Sequence, residues 1–140
     1  MRLVLDTNVV ASAMLWGGNP KSLLQAGREK RIELFTSVAM LAELTDILAR
    51  PKFEQKIKAS LLTVDQLIDG YAALTQVVRP MPTPRIVADP DDDVVVGTAL
   101  AARVDLLVTG DLGLLDVGTY QDVRIVSVAE ALGIIGTATR

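Results

Sequence analysis

Cysteine and histidine are both absent from the 140 residues of this chain. The absence of cysteine excludes disulfide bonds and thiolate metal sites. The absence of histidine excludes the usual zinc sites, Ser-His-Asp triads and imidazole acid–base chemistry. Any catalysis must therefore use carboxylates, hydroxyls, amides, Lys, Arg or a bound metal ion.

Long apolar runs and an excess of positive charge are also lacking. No hydrophobic run reaches the ~20 residues of a membrane span, and Asp6 interrupts the segment where a signal peptide would be apolar. The net charge of −3 argues against a nonspecific coat for nucleic acid but leaves room for local basic patches. We expect a cytoplasmic protein without a membrane partner.

Half of the residues are hydrophobic, which is enough for the core of one domain over residues 1–140. Short apolar segments that favour strands alternate with segments that favour helices. The predicted strands are RLVL, IELFTS, VVRPM, DLLVTGD and the start of VRIVSVAEALGI. This alternation predicts an α/β fold, a three-layer α/β/α sandwich with a short central parallel sheet.

Helix boundaries are marked by caps and prolines. NPKSLLQAGREKR, SVAMLAELTDILARP, PKFEQKIKASLLT and TVDQLIDGYAALTQ are predicted helices, with Ser37 and Thr63 as caps. A further helix begins at Asp89, a candidate N-cap, and Pro90, which suits the first helical position. Its segment Val94–Arg103 is apolar on almost all sides, so we expect this helix to be buried.

Acidic residues follow two of the predicted strands. Asp6 comes after LVL and Asp111 after LLVTG, and ligands of such sheets bind beyond the carboxyl ends of the strands. Capping offers an equally simple explanation for each: Asp6 or Asn8 would cap the next helix, and Asp111 would cap the turn DLGLL. Both explanations stay open at this stage.

Four aspartates crowd into DPDDD. Asp89 is explained as a cap and Asp91 as a solvated acid that complements the helix dipole. Asp92 and Asp93 are harder to explain, because extra like charges cost stability unless a cation lies among them. With no histidine in the chain, a divalent ion is the natural candidate.

The identity of that ion follows from the ligand types. A calcium loop fails, because Val94 and Leu100 stand where that loop needs Gly and Glu. Oxygen ligands for Mg²⁺ or Mn²⁺ in phosphoryl chemistry remain. Glu43, in AMLAEL, lies at the margin of an apolar helix face, where it is either a solvated surface residue or a further acid of the same cleft.

These motifs together resemble a PIN-domain nuclease, and within that family the VapC-like ribonuclease toxins of bacterial toxin–antitoxin systems. LDTNVV, AMLAEL, DPDDD and LLVTGDLGLL occur in the family's order over essentially the whole chain. The resemblance implies a PIN-like fold and an endoribonuclease that uses Mg²⁺ or Mn²⁺ to hydrolyse single-stranded or structured RNA. It also implies a homodimer and a cognate antitoxin that blocks the acidic pocket.

The resemblance assigns roles to the acids. Asp6, Glu43, Asp92 and Asp111 match the metal-binding and catalytic acids of the family. Asp93 is an alternative to Asp92, because the doublet aligns either way. Whether one or two ions bind is left open.

Supporting residues follow from the same resemblance. Thr7 and Asn8 would orient Asp6 through hydrogen bonds, and Thr109 would do the same for Asp111.

Contacts to RNA need basic or aromatic side chains. The segments REKR (residues 28–31) and RPKFEQKIK (residues 50–58) are the basic candidates, and a solvated helix face is the alternative for both. Their candidate residues are Arg28, Lys30, Arg31, Arg50 and Lys52. Trp16, shortly after LDTN, would either stack on a base or pack in the core or an interface.

Two other enzyme classes fit poorly. A haloacid-dehalogenase-type phosphatase needs an aspartate where Asn8 stands, and a response-regulator receiver needs an acidic doublet where Asp6 stands alone. A catalytically silent PIN-like module that binds a nucleic acid or a protein partner is the remaining alternative.

Overall fold

The computed structural model describes residues 1–83 and 90–138 of the chain. Within these residues it contains six strands, eight α-helices and a short 3₁₀ helix at Pro51–Phe53. The strands are β1 (Arg2–Leu5), β2 (Glu33–Thr36), β3 (Thr75–Val77), β4 (Leu106–Val108), β5 (Thr119–Tyr120) and β6 (Val123–Val126). The helices are α1 (Thr7–Leu15), α2 (Asn19–Arg28), α3 (Val38–Leu48), α4 (Glu54–Ala59), α5 (Val64–Leu74), α6 (Pro90–Ala101), α7 (Leu112–Val117) and α8 (Val128–Ala138). None of these helices is long and apolar enough to cross a membrane.

All six strands form one sheet in the order β3-β2-β1-β4-β6-β5. Strands β3, β2, β1, β4 and β6 run parallel to one another. The edge strand β5 is antiparallel to β6. The chain builds β2 and β3 on one side of β1 and then crosses to β4 on the other side. The carboxyl ends of β1 and β4 therefore flank the point where the strand order reverses, which is where open α/β sheets bind ligands.

Alternation along the strands divides the apolar residues between two cores. On β1, Leu3 and Leu5 belong to one core and Val4 to the other. Helices α1, α2, α3 and α8 cover the first core, while α6 and α7 cover the second. Because successive strand side chains point to opposite faces, a sheet with two apolar faces needs helices on both. The predicted three-layer α/β/α sandwich is confirmed.

The predicted caps at Ser37 and Thr63 are confirmed. Ser37 Oγ accepts a hydrogen bond from the Met40 N–H at 3.4 Å. Thr63 and Gln66 form a reciprocal capping box, with bonds of 3.1 and 2.9 Å. The predicted cap at Asp89 lies outside the described residues, and α6 begins at Pro90 as expected.

Two predicted helices are shorter than their apolar patterns suggested. The segment from Pro51 divides into the 3₁₀ turn and α4, which ends where the Ser60 hydroxyl donates to the Ile57 carbonyl at 2.6 Å. Helix α2 ends at Arg28, because Lys30 adopts a positive φ of 59° that cannot continue a right-handed helix.

The strand predicted at VVRPM is present but displaced, and it shares only Val77 with that segment. The strand that pairs with β2 is β3, two residues earlier, with Leu34 opposite Thr75. Pro80 has no N–H to donate to a strand ladder, so the pairing stops before it. Helix α7 and strand β5, which have six and two residues, were not predicted, because such short elements carry almost no periodicity.

Candidate acidic site

The site forms where β1 and β4 end side by side. Leu5 lies opposite Val108 in the parallel ladder. The next N–H, that of Asp6, donates to the Val108 carbonyl at 2.9 Å. The backbone therefore places the side chains of Asp6 and Thr109 next to each other at the carboxyl end of the sheet.

Asp6 is a buried carboxylate, 6% exposed, at the N-terminus of α1. Its Oδ1 accepts from the Thr7 N–H at 2.7 Å and from the Thr7 hydroxyl at 3.4 Å. Its Oδ2 accepts from the Thr109 hydroxyl at 2.8 Å. A carboxylate has about four lone-pair positions, so its role as a helix cap does not use up its capacity to bind a further group.

The electrostatic environment of Asp6 is unfavourable for its charge. Burial raises the pKa of this carboxyl above its ordinary value, against the hydrogen bonds from Thr109 and Thr7, which lower it. The negative charge of Asp111 adds to the increase in the Asp6 pKa. A cation between these two acids would favour the charged form of both.

Asp111 lies on the surface next to this buried carboxylate. Its Oδ2 accepts from the Leu114 N–H at 2.9 Å, so it caps α7. Its own N–H donates to the Thr109 hydroxyl oxygen at 3.0 Å. The capping roles considered for Asp6 and Asp111 are thus both present, and they fix the positions of the two carboxylates.

Thr109 connects the two acids in a way that goes beyond the prediction. The predicted hydrogen bond between Thr109 and Asp111 is present, with the Asp111 N–H as donor, and the Thr109 hydroxyl in addition donates to Asp6, which was not predicted. Thr7 bonds to Asp6 as expected. Asn8 is exposed, and among the described residues its side chain forms no hydrogen bond with Asp6.

Glu43 lies on α3 and is half-buried. It follows the buried Met40 by three residues and precedes the buried Ile47 by four, so it shares their side of the helix. Helix α3 packs against α1 and contacts α6. Glu43 therefore lies at the margin of the core, as the apolar pattern of its helix predicted.

Asp92 and Asp93 are both half-buried and lie at adjacent positions in the first turns of α6. Asp92 precedes the buried Val95 and Val96 by three and four residues, which places it on the side that packs against the sheet. Asp93 lines a shallow cavity with residues 80–83 and Val94.

A ready-made metal centre is not present in residues 1–83 and 90–138, where no three acidic side chains are grouped to hold an ion. The structure brings Asp6 and Asp111 into electrostatic contact and leaves Glu43 and Asp92 on neighbouring helices. The donors are oxygens only, and the buried charge of Asp6 is opposed by its surroundings. This donor chemistry fits a hard divalent ion such as Mg²⁺ or Mn²⁺.

Both basic segments keep charges that no acid compensates. Arg31 is paired with Glu29 at 3.0 Å, and Arg28 lines a cavity of about 370 Å³ between α1, α2 and α5. In the described part of the chain, Arg28, Lys30, Arg50 and Lys52 take part in no ion pair. Ion pairing therefore does not distinguish the two segments as contacts for RNA.

Trp16 is 54% exposed, which excludes packing in the core and leaves stacking on a base or packing in an interface as the alternatives. Its ring meets Phe53 edge to face, with centroids 5.4 Å apart and planes at 80°. The Lys52 ammonium lies 5.0 Å from the Phe53 centroid and that of Lys56 lies 5.5 Å from the Trp16 centroid. Lys56 lies in the predicted basic segment 50–58 but was not singled out there, and its contact with Trp16 was not predicted.

Comparisons with known proteins were made for the chain as a whole. A family model described as PIN domain matches residues 2–113, a range that contains all four predicted site acids. No curated protein matches the chain significantly in sequence. A solved structure with a similar fold is a chain of VapBC2 from Rickettsia felis, crystallised bound to a DNA fragment from its promoter. The TM-score is 0.61 at 15% identity, and the match covers 91% of this chain and 98% of the other.

Proposed function

The chain belongs to the PIN domain family, and we propose that it is a divalent-metal-dependent endoribonuclease that cleaves RNA by phosphodiester hydrolysis. The observation that carries this proposal is the pairing of Asp6 and Asp111 at the reversal point of the sheet, joined through one threonine hydroxyl. Burial, and to a smaller extent the charge of Asp111, oppose the charged form of Asp6, and a bound cation would offset that cost.

Four acids of the chain are proposed to hold Mg²⁺ or Mn²⁺: Asp6, Glu43, Asp92 and Asp111. Within the doublet we prefer Asp92, because it lies on the sheet side of α6 and Asp93 lies beside residues 80–83. The chemistry that a divalent ion supplies in such a site is neutralisation of the acidic pocket and activation of water for attack on phosphorus.

The protein's own contribution is positioning. The Thr7 N–H and the Thr109 hydroxyl each hold one oxygen of the Asp6 carboxylate. The Leu114 N–H holds one oxygen of Asp111. Because these donors belong to strand ends and helix starts, the carboxylates are oriented before substrate arrives.

We further propose that the chain is the cytoplasmic toxin of a toxin–antitoxin pair and forms a homodimer. The similarity to a chain of a VapBC2 complex supports an antitoxin as protein partner. Two apolar side chains at the carboxyl end of the sheet, Val38 and Leu112, are 72% and 75% exposed. Exposed apolar groups beside an acidic pocket suit a protein that covers it.

The test is cleavage of labelled single-stranded RNA by the full chain with Mn²⁺, with Mg²⁺ and with EDTA. We expect metal-dependent cleavage that Asp6→Asn abolishes and that Asp65→Asn, which removes an exposed charge on α5, leaves unchanged. Equal activity in EDTA would overturn the metal requirement. No cleavage of varied RNAs, together with no metal binding by calorimetry, would favour the catalytically silent binding module.

A further inference from the structure

We infer that Trp16, Lys52, Phe53 and Lys56 form a stacking subsite for bases of a single-stranded RNA whose backbone reaches the acidic site. These four residues are called the aromatic–lysine patch. The inference rests on the proposed ribonuclease function and adds a second point of substrate contact to it.

The first argument is the exposure of Trp16. A large aromatic ring normally buries most of its surface, yet this one is 54% exposed at the C-terminal end of α1. Phe53 supports it edge to face at 5.4 Å, which restricts the ring without covering it. A supported aromatic ring that is about half exposed is a feature on which nucleic-acid bases stack.

The second argument is charge. Each ring of the aromatic–lysine patch has an ammonium group within 5.5 Å of its centroid. Lys52 and Lys56 form no ion pair with the described part of the chain, whereas nearby Lys58 is paired with Glu54 at 3.2 Å. Uncompensated lysines beside the exposed ring of Trp16 and the half-buried ring of Phe53 favour a polyanion with bases over a protein partner.

The third argument is the path to the acidic site. Asn8, Ser12 and Trp16 are spaced by four residues and so share one side of α1, the helix that Asp6 caps. Asn8 is exposed and Ser12 is half-buried. At 1.5 Å per residue, Trp16 lies roughly 12 Å along the helix from Asn8, about three or four stacked nucleotides at 3.4 Å each.

The first experiment uses Trp16 as its own reporter, because it is the only tryptophan in the chain. Metal-free full-length Asp6→Asn protein is titrated with an eight-nucleotide oligouridylate and with an abasic oligonucleotide of equal length. We expect the oligouridylate to quench the fluorescence and to bind roughly 5- to 100-fold more tightly than the abasic strand. Equal affinity for both strands, or binding without quenching, would overturn the subsite.

The second experiment measures cleavage by proteins that retain Asp6. Trp16→Ala is expected to raise KM for long substrates with little change in kcat, and Trp16→Phe is expected to restore KM. For substrates too short to span from the acidic site to the patch, wild type and Trp16→Ala should have the same KM. A fall in kcat alone, equal for substrates of every length, would overturn the subsite.

The third experiment tests the lysines. Substituting Lys52 and Lys56 together with alanine should reduce the slope of log affinity against log salt by about two. Lys58→Ala is the matched control, since its charge is already paired, and it should change the slope less. An equal effect of the single control and the double variant would contradict the assignment.

These measurements separate the subsite from the proposed function. Metal-dependent cleavage without any effect of Trp16 would leave the ribonuclease in place and remove the subsite. Base-dependent quenching without cleavage would keep the subsite and remove the nuclease. A Trp16 spectrum that changes with protein concentration in the absence of RNA would instead assign the aromatic–lysine patch to self-association, against the inference.

Discussion

Thr109 donates its hydroxyl hydrogen to Oδ2 of Asp6 at 2.8 Å, across 103 residues of sequence. The same hydroxyl oxygen accepts from the N–H of Asp111 at 3.0 Å. One fully buried side chain thus sets the geometry between two acids that come from different ends of the chain. Its removal should affect both stability and the protonation of Asp6.

Thr109→Val keeps the shape of the side chain but removes the hydroxyl. The buried Asp6 oxygen and the Asp111 N–H each lose a partner, so we expect the free energy of unfolding to fall by about 1–3 kcal/mol. The Asp6 pKa should rise further, because the Thr109 hydrogen bond lowers it. Urea denaturation and an NMR titration measure the two effects. Thr109→Ser is the control that keeps the hydroxyl, and a valine variant as stable as wild type would contradict the role.

Asp6→Asn should stabilise the metal-free protein at pH 7. The folded-state pKa of Asp6 is raised above its ordinary value of 3.8, mainly by burial. At a pH between the ordinary pKa and the raised pKa of the folded state, Asp6 is protonated in the folded protein and ionised in the unfolded chain. The free energy of unfolding therefore falls as pH rises through this range. At a pH above the folded-state pKa, the buried carboxylate of Asp6 is charged and destabilises the fold by the full cost of burying that charge. Asparagine carries no charge and avoids this cost. Urea denaturation should show that the difference in the free energy of unfolding between variant and wild type becomes smaller as the pH is lowered toward 4. A variant less stable than wild type at pH 7 would contradict this prediction.

Added Mn²⁺ or Mg²⁺ should raise the Tm of wild type in the absence of RNA. A ligand that binds only the folded state at 100 times its Kd stabilises by about 2.7 kcal/mol. Asp6→Asn and Asp111→Asn should each reduce this increase, and Asp65→Asn should retain it. Thermal unfolding over a metal series measures the effect without relying on catalysis. The same increase in all four proteins would place the ion elsewhere.

The aspartate doublet can be resolved by paired substitutions. Asp92 lies on the side of α6 that packs against the sheet, and Asp93 lines a cavity with residues 80–83. We expect Asp92→Asn to reduce metal-dependent cleavage far more than Asp93→Asn. Each variant removes one charge from the same helix turn, so each controls for the other. The reverse order would assign the metal to Asp93.

Tyr71→Phe tests a buried polar atom away from the acidic site. The Tyr71 hydroxyl is buried and has no hydrogen-bond partner among the described residues. Removing an unsatisfied buried hydroxyl spares its desolvation cost, so we expect stability to stay equal or to rise by about 1 kcal/mol. Chemical denaturation at neutral pH measures the change in the free energy of unfolding. A loss of more than about 1 kcal/mol would show that a bound water or ligand satisfies the hydroxyl.

Much of the architecture could be predicted because its signals are local. The apolar strands RLVL and DLLVTGD, the caps at Ser37 and Thr63, and the alternation of strands with helices each follow from a few adjacent residues. The meeting of Asp6 with Asp111 followed from a rule about where parallel strands end.

Features that depend on distant contacts could not be predicted. The support of Trp16 by Phe53 joins the end of α1 to the turn after α3, and nothing in either segment alone indicates it. The hydrogen bond from the Thr109 hydroxyl to Asp6 was missed for the same reason, because 103 residues of sequence separate the two. The antiparallel edge strand β5 has only two residues and gives no readable period.

Strand β1 is made first and has its second neighbour, β4, only after residue 106. During synthesis, at about 5–20 residues per second, the nascent chain carries Asp6 long before Thr109 and Asp111 have left the ribosome. The acidic site therefore has no geometry until residues 109–111 have been made. A fragment that stops short of β4 therefore lacks both the strand next to Asp6 and the threonine that holds its carboxylate, and we expect it to hold no ordered acidic site.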